Sequence, residues 1–325
     1  MTVNSIDLRR VDGDQLVKAY DFRIALDADS WTWTWSATLH KSAEAQVRLF
    51  DEMEARINGV PYRLAVGKFA LRKRFAETRL LVSGRGLAQV LADPQAPVMT
   101  YSASAPRTAQ QLMADVLTVN GEPIGWDVEW GIDDWLVPEN VWTFQGTAMQ
   151  ALLDIAEAAG GYIQPHPTLR TLRVLPRYPS APWTWGIITP DIELPAAVCE
   201  VESTDRVERP LYNRVFVGGT SAGVFGPVTR TGTEGDLLAP QVAHPLITDA
   251  AAHRQRGLSA LSDTGSQVHL SLSLQVLSET GLILPGKIIR YNAAEPHTGI
   301  VRSMALSWDS GVMRQVIGVE CHAPS

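Results

Sequence analysis

The run Trp142-Thr143-Phe144-Gln145-Gly146-Thr147-Ala148-Met149-Gln150-Ala151-Leu152-Leu153-Asp154-Ile155-Ala156, continuing through Gly160-Gly161 to Arg177, reads as strand, capped helix, glycine stop, strand, turn and strand. Thr147 stands at an N-cap position with Gln150 three residues on. In a capping box these two side chains satisfy each other's orphan amides. Leu152, Ile155, Ala156 and Ala159 recur at the spacing that places them on one helix face, and Gly160-Gly161 supplies the positive φ that ends the helix. Tyr162-Ile163-Gln164 and Leu169 to Val174 then form a hairpin around Pro165 to Thr168. This is a packing module without chemistry, and the strand-rich sequence on either side of it makes the chain β-rich α+β.

The 325 residues suffice for two or three domains with full cores, and 45% hydrophobic with 19% charged residues is the balance of an ordinary globular protein. No run of about eighteen apolar residues occurs, so no membrane-spanning segment is expected. Met1 to Arg10 lacks the pattern of a signal peptide, which points to a protein made and kept in a cytoplasm. Cys199 and Cys321 match no metal-ligand spacing and are expected to be free thiols. A net charge of −7 argues against a nucleic-acid-binding surface. The one basic cluster, Arg72-Lys73-Arg74 with Arg79 and Arg85, lies in strand-like sequence and reads as a solvated face.

From Asp7 to Arg85 the hydrophobic pattern has period two. Asp21 to Leu26 alternates, and Trp31-Thr32-Trp33-Thr34-Trp35-Ser36-Ala37-Thr38-Leu39 alternates more strongly. Three tryptophans on one strand face are expected to be buried; exposed, they would form a sugar-stacking platform. Asn58-Gly59 marks a hairpin, and Glu44 to Glu54 reads as a short helix or a covering loop. Gly84-Arg85-Gly86 leads into a helical turn from Leu87 to Leu91 but lacks the remainder of a phosphate-binding loop. Pro94 to Pro106 reads as a connector. Thr108 caps a helix that Asn120-Gly121 ends, and Trp183-Thr184-Trp185 reads as an extended run. Asp249 caps a third helix, Ala250 to Leu261. The remainder is strand-rich: Val268 to Val276, Leu282 to Tyr291, and Gly299 to Trp308 paired with Met313 to Cys321 across Asp309-Ser310-Gly311.

Three patterns carry candidate chemistry. Trp126, Trp130, Trp135 and Trp142 interleave with Asp127, Glu129, Asp133 and Asp134, the residue types of a glycoside-degrading or carbohydrate-binding site. A working carboxylate pair must face itself across a cleft, and a solvated turn flanked by core aromatics fits these consecutive residues better. Gly219-Thr220-Ser221-Ala222-Gly223 matches G-x-S-x-G, yet Val224 to Thr229 is no helix, so a loop between two strands is expected. His244, His253, His269 and His297 show no metal motif and no local acid partner. No residue is assigned as catalytic, cofactor-binding or metal-ligating, and no cofactor is expected.

Several passages in order resemble the baseplate or tail hub proteins of tailed bacteriophages. These are Leu81-Val82-Ser83-Gly84-Arg85-Gly86-Leu87-Ala88-Gln89-Val90-Leu91-Ala92-Asp93, the module Gly146 to Val174, Tyr212-Asn213-Arg214-Val215-Phe216-Val217-Gly218, the Ala- and Arg-rich helix near His253, and Leu284-Pro285-Gly286-Lys287 with Gly299-Ile300-Val301. The likeness spans roughly residues 15 to 320 and lacks the lysozyme or peptidase extension of the elaborated hubs. It implies two antiparallel, tail-tube-like β-barrel domains bracketing a mixed α/β region: 1–95, 96–180 and 181–325. It further implies a non-enzymatic homotrimer in the virion tail tip, assembled in the host bacterial cytoplasm. That ring would continue the tail tube and let DNA pass its lumen without specific binding. Its partners would be the distal tail and tail tube proteins, the tip or fibre protein and the tape measure protein. A hexameric ring meets a trimer without mismatch when each subunit offers two equivalent faces. The two β regions show no obvious identity, so their equivalence is what the resemblance implies.

Overall fold

The computed structural model describes residues 4–75, 77–309 and 311–322. The N-terminal region contributes β1 Ile6–Arg10, β2 Gln15–Val17, β3 Ala19–Asp27, β4 Thr34–His40, β5 Glu52–Ile57, β6 Val60–Arg74 and β7 Glu77–Gly86. The middle region holds α1 Ala109–Val116, β8 Asp127–Trp130, α2 Ala148–Ala158, β9 Gly161–Pro165 and β10 Thr171–Pro176. After these come β11 Ile192–Pro195, β12 Cys199–Glu208, β13 Arg214–Gly218, β14 Phe225–Thr229, β15 Val242–Ala243, α3 Ala250–Ser262, β16 Ser266–Gln275, β17 Ile288–Asn292, β18 His297–Asp309 and β19 Val312–His322. Short strands outside these are left unlabelled.

Thirteen strands form one continuous sheet, ordered β12-β16-β19-β18-β3-β4-β7-β6-β5-β1-β2, with β17 on the first half of β18 and β11 on β17. Among the described residues this path does not close on itself within one chain. Its apolar face is a single core that takes Leu8, Phe22, Ile24, Trp33, Trp35 and Leu64 from the first strands and Leu194, Leu272, Ile289, Met304 and Ile317 from the last.

The sheet contains the same unit twice. The first half pairs in the order β3-β4-β7-β6-β5-β1, and the second half in the order β12-β16-β19-β18-β17-β11. The registers agree as well as the order. Leu39 lies opposite Leu80 as Leu274 lies opposite Gln315, and Lys68 opposite Ser83 as Ser303 opposite Gly318, each second-half number being its counterpart plus 235 (39 and 274, 68 and 303). The irregularities coincide too. β6 bulges at Gly67 and β18 at Arg302, while β3 bulges at Tyr20 and β12 at Glu200. Ser36 and Ser271, Pro61 and Pro296, Val66 and Val301, and Leu71 and Leu306 are the same residue at equivalent places. The outermost strand differs, since β1 runs antiparallel to β5 whereas β11 runs parallel to β17.

The two halves meet at one seam. The second half of β18 pairs antiparallel with β3, from Ser303 opposite Asp27 to Asp309 opposite Asp21. The bulge separates this partner from the first: before Arg302, β18 serves β17, and after it β3. In β7, glycine is required at position 84. A Cβ there would fall 1.9 Å from the Ala65 carbonyl oxygen, and Trp35 crosses at that point to donate its indole N–H to that same oxygen at 3.0 Å.

The middle region hangs from this sheet. Its core joins α1 and α2 to Trp126, Trp135, Trp142 and Val174, with β8 parallel and β9 antiparallel to β10. The capping box expected at Thr147 forms, and the N-cap at Thr108 is completed to a second one. Gln150 N donates to Thr147 Oγ1 at 3.4 Å and Thr147 N to Gln150 Oε1 at 2.9 Å, and Thr108 pairs with Gln111 in the same way. Gly160 has the expected positive φ of 69°. A smaller unit of β13, β14, β15 and α3 is inserted between β12 and β16 around Val215, Val217, Ile247 and Leu261.

A buried ionic cluster pins the middle region to the seam. Arg302 donates through Nε to Glu320 Oε2 at 2.9 Å and through Nη1 to the Arg177 carbonyl at 2.7 Å, and its guanidinium lies 4.3 Å from the centre of the Tyr178 ring. Tyr178 O–H donates to Glu320 Oε1 at 2.7 Å, which also meets His322 Nε2 at 2.9 Å. Burial on its own would raise the Glu320 pKa, but the bonds from His322, Arg302 and Tyr178 hold its carboxyl well below the usual range.

Several local expectations are corrected. Trp183-Thr184 belongs to a 3-10 turn, Pro182–Thr184, because Pro182 presets its first φ. Within the expected connector, Met99–Ser102 forms a strand paired with Thr143–Gly146. The first helix stops at Val116, and Asn120-Gly121, both at positive φ, turn a two-residue hairpin beyond it. Leu282 to Lys287 is not strand, since Gly286 turns there at φ 92°. Lys41–Ala45 is a 3-10 helix, and the strand expected from Trp31 begins at Thr34. The turn at Asp309-Ser310-Gly311 lies partly outside the described residues, as do Met1 to Val3.

Thr147→Ala removes one half of the α2 capping box and is expected to lower unfolding stability by about 1 kcal/mol, read as a shift in denaturant midpoint at constant slope. Glu320→Gln leaves Arg302 buried without its anion, and a loss of about 3 to 5 kcal/mol is expected at neutral pH. Because the Glu320 carboxyl is depressed in the folded protein, the unfolded chain takes up the proton more readily. Its stabilisation is therefore present above the ordinary carboxyl pKa of 4.5 and lost as pH falls below it. Glu320→Gln should flatten that acid limb; an unchanged pH profile would refute the assignment.

Candidate functional site

The tryptophan and carboxylate cluster does not assemble into a cleft. Trp126, Trp135 and Trp142 are core residues. Trp135 spends its indole N–H on the Leu246 carbonyl at 2.7 Å and Trp142 on Asp154 at 2.8 Å. Asp134 accepts from the amides of Gln110 and Trp135, Glu129 pairs with Arg173 at 3.0 Å, and Asp127 is exposed on the same strand. Trp33 and Trp35 are buried, so no sugar platform is presented, and only Trp31 is half-exposed, with Arg85 over its ring.

The segment Gly219 to Gly223 is a loop between β13 and β14, as expected. The histidines include one pair that sequence reading missed. Asp154 of α2 meets His244 Nε2 at 3.2 Å across 90 positions of sequence, and burial of that carboxyl is outweighed by its bonds from His244 and Trp142, which lower its pKa. His244 Nδ1 accepts the Leu246 amide at 3.2 Å. Both ring nitrogens are thus engaged, and none is left to deprotonate a nucleophile. Among the described residues no group of three His, Cys, Asp or Glu side chains is placed to hold a metal. Cys199 and Cys321 are free, and burial pushes the Cys321 thiol up to about 12.

A cleft of about 600 Å³ lies between the α2 stop and α3, bordered by Asp29, Glu157, Gly160, Arg177, Arg256 and Asp263. Its charges neutralise one another. Arg177 pairs with Asp29 at 2.7 Å, Arg256 with Glu157 at 3.4 Å, and Asp263 with Arg209. What remains is a seat for structural ion pairs.

Two edges of the large sheet lie open among the described residues. Beyond its bulge, β6 pairs with β7 on one side, and its other edge, from Lys68 to Arg74, has no strand beside it among the described residues. Phe69 and Leu71 on that edge are 41% and 40% exposed, whereas Met304 and Leu306, their equivalents on β18, are buried at 1% and 2%. Lys68, Arg72, Lys73 and Arg74 give this edge four cations. β12 is the second such edge. It pairs with β16 alone, and residues 200–206 are all exposed. It carries Glu200, Glu202, Asp205 and Glu208 against one Arg206. Glu200 is held by Arg314 and Gln275, Glu202 accepts from the Tyr291 hydroxyl at 2.7 Å, and Glu208 accepts from Ser266 at 2.7 Å. A long unpaired edge with apolar side chains is a template for another strand. Here one basic and one acidic template sit on the same chain.

No protein-family model matches the sequence, and no curated protein does. The fold has clear counterparts among solved structures. The tail protein from Neisseria meningitidis MC58 superposes with a TM-score of 0.69 at 14% identity, over 98% of this chain and 97% of that one. The 43 kDa tail protein of prophage MuSo2 from Shewanella oneidensis gives 0.66 at 15% identity, over 97% and 98%. Prophage tail protein gp18 from Listeria monocytogenes EGD-e gives 0.59 at 12% identity, over 98% and 95%. At such identities the likeness is one of fold. Along nearly its whole length, this chain has the fold of phage tail proteins.

Proposed function

We propose that the protein is a non-enzymatic structural hub of a bacteriophage tail tip or baseplate. In this reading three copies form a ring that continues the tail tube, joins it to the tip or central fibre, and leaves a lumen for DNA. The observation that carries the proposal is the internal repeat. Two units of identical strand order and matching register, set side by side in one sheet, make each chain present the same face twice. Three chains then present six such faces, the arrangement needed to meet a hexameric tube ring without mismatch.

Each β unit supplies part of a cylinder whose wall is completed by neighbouring copies. The organisation follows the boundaries 1–95, 96–180 and 181–325, with the mixed region on the outside of the ring. Tube and distal tail proteins on one side, the tip or fibre protein on the other, and the tape measure protein are the partners of this reading. The net charge of −7 suits a wall that DNA passes without adhering. The place of action is the virion, after assembly in the host bacterial cytoplasm.

Light scattering on concentrated protein should give about three times the chain mass of 35.5 kDa, and negative-stain images should show annular particles of three-fold outline. A protein that stays monomeric at every concentration, and is absent from purified tails when probed by antibody, would end this reading.

A further inference from the structure

We infer that the free edge of β6 in one copy pairs antiparallel with the free edge of β12 in a second copy, with Phe69 opposite Arg206, Leu71 opposite Thr204 and Lys73 opposite Glu202. The inference rests on the ring reading above and gives it a residue-level joint.

The register comes from the repeat. Within the chain the two units are joined where the second half of β18 meets β3, Met304 opposite Leu26, Leu306 opposite Ile24 and Trp308 opposite Phe22. The counterparts of Met304, Leu306 and Trp308 are Phe69, Leu71 and Lys73 on β6, each 235 lower (304 and 69). The bulges at Tyr20 and Glu200 align β3 with β12 at a difference of 180 (20 and 200), so Leu26, Ile24 and Phe22 correspond to Arg206, Thr204 and Glu202. The joint made once inside the chain is available once more, between chains.

Three observations not used in setting the register support it. Both strands have an unpaired edge along the required residues. Phe69 and Leu71 are exposed where the intrachain counterparts Met304 and Leu306 are covered, as expected of a joint whose other strand belongs to another molecule. The charges are complementary: Lys68 to Arg74 carries four cations, and the stretch it faces in this register, Val201 to Val207, carries Glu202 and Asp205 against the single Arg206. Pairing β6 with β6, or β12 with β12, would set like charges against each other, which disfavours a two-fold dimer and selects the head-to-tail contact that closes rings.

The β12 face is polar where that of β3 is apolar, with Glu202, Thr204 and Arg206 in place of Phe22, Ile24 and Leu26. The intermolecular joint is correspondingly held by charge and backbone hydrogen bonds, with Arg206 over Phe69 as a cation–π contact.

The test is disulfide trapping in the full chain with Cys199→Ser as background. Leu71→Cys with Thr204→Cys should give, on mild oxidation, covalent multimers up to the closed ring. Leu71→Cys with Glu208→Cys, four residues out of register, should not. Arg72→Glu with Lys73→Glu should raise the concentration for half-assembly by roughly tenfold or more, and Glu202→Lys with Asp205→Lys in the same chain should recover much of the loss. Circular dichroism confirms that each variant is folded. Rings that form without the 71–204 cross-link and ignore the charge reversal would overturn this joint while leaving the hub reading intact. A 71–204 disulfide confined to single chains would also overturn it, and the absence of any assembly would remove both.

Discussion

A β-sheet of finite width ends in backbone N–H and C=O groups that have no partner, and the architecture of this protein follows from how it meets that constraint. Thirteen strands share one core, yet among the described residues their path does not close. One potential edge, that of β3, is consumed by β18 inside the chain. The equivalent edge, that of β12, is left to solvent and coated with carboxylates and hydroxyls. Charged residues on an exposed edge keep it from indiscriminate pairing while leaving its hydrogen-bonding groups in place for a strand of opposite charge.

The long strand β18 does this by serving two neighbours in succession along one edge, and β6 has the same form with the second place open among the described residues. A bulge at Gly67 or Arg302 shifts the alternation by one residue, and in β18 this lets the strand satisfy β17 first and β3 afterwards. The two bulges carry different residues, and the difference matters. Gly67 at the bulge of β6 adds no side chain, whereas Arg302 turns inward to Glu320, Tyr178 and the Arg177 carbonyl. That cluster ties the middle region to the second unit, and Arg177 returns a bond to Asp29 just beyond β3. Side chains of the middle region thereby hold both strands of the seam.

Much of the local structure was legible in the sequence because it depends on residues close together. The capping box at Thr147, the N-cap at Thr108, the Asn58-Gly59 hairpin, the glycine stop at Gly160 and the alternation of β3 and β16 were all legible in short stretches of sequence. Trp183 was misread because aromatic alternation over three residues resembles a strand, and Pro182 decides otherwise. Long-range partners left no such trace. Asp154 and His244 are 90 residues apart and neither sits in a motif. The repeat was invisible because its identities are scattered singly, as at Ser36 and Ser271 or Leu71 and Leu306. What the two halves conserve is alternation and the position of bulges, and many sequences satisfy both. The exposed edges were missed for a related reason. Lys68 to Arg74 reads as a solvated strand whether or not another strand is due to cover it.

The polarity difference between the two units then becomes the informative feature. Had β12 kept the apolar inner face of β3, the free subunit would display three large apolar side chains on an open edge, a prescription for fibres rather than closed rings. Replacing Phe22, Ile24 and Leu26 with Glu202, Thr204 and Arg206 removes that hazard. The apolar residues remain on β6 alone, as Phe69 and Leu71, where four neighbouring cations repel a second copy of the same strand. The two units therefore share strand order and bulge positions, and they differ most where one strand is covered inside the chain and its counterpart is open to solvent.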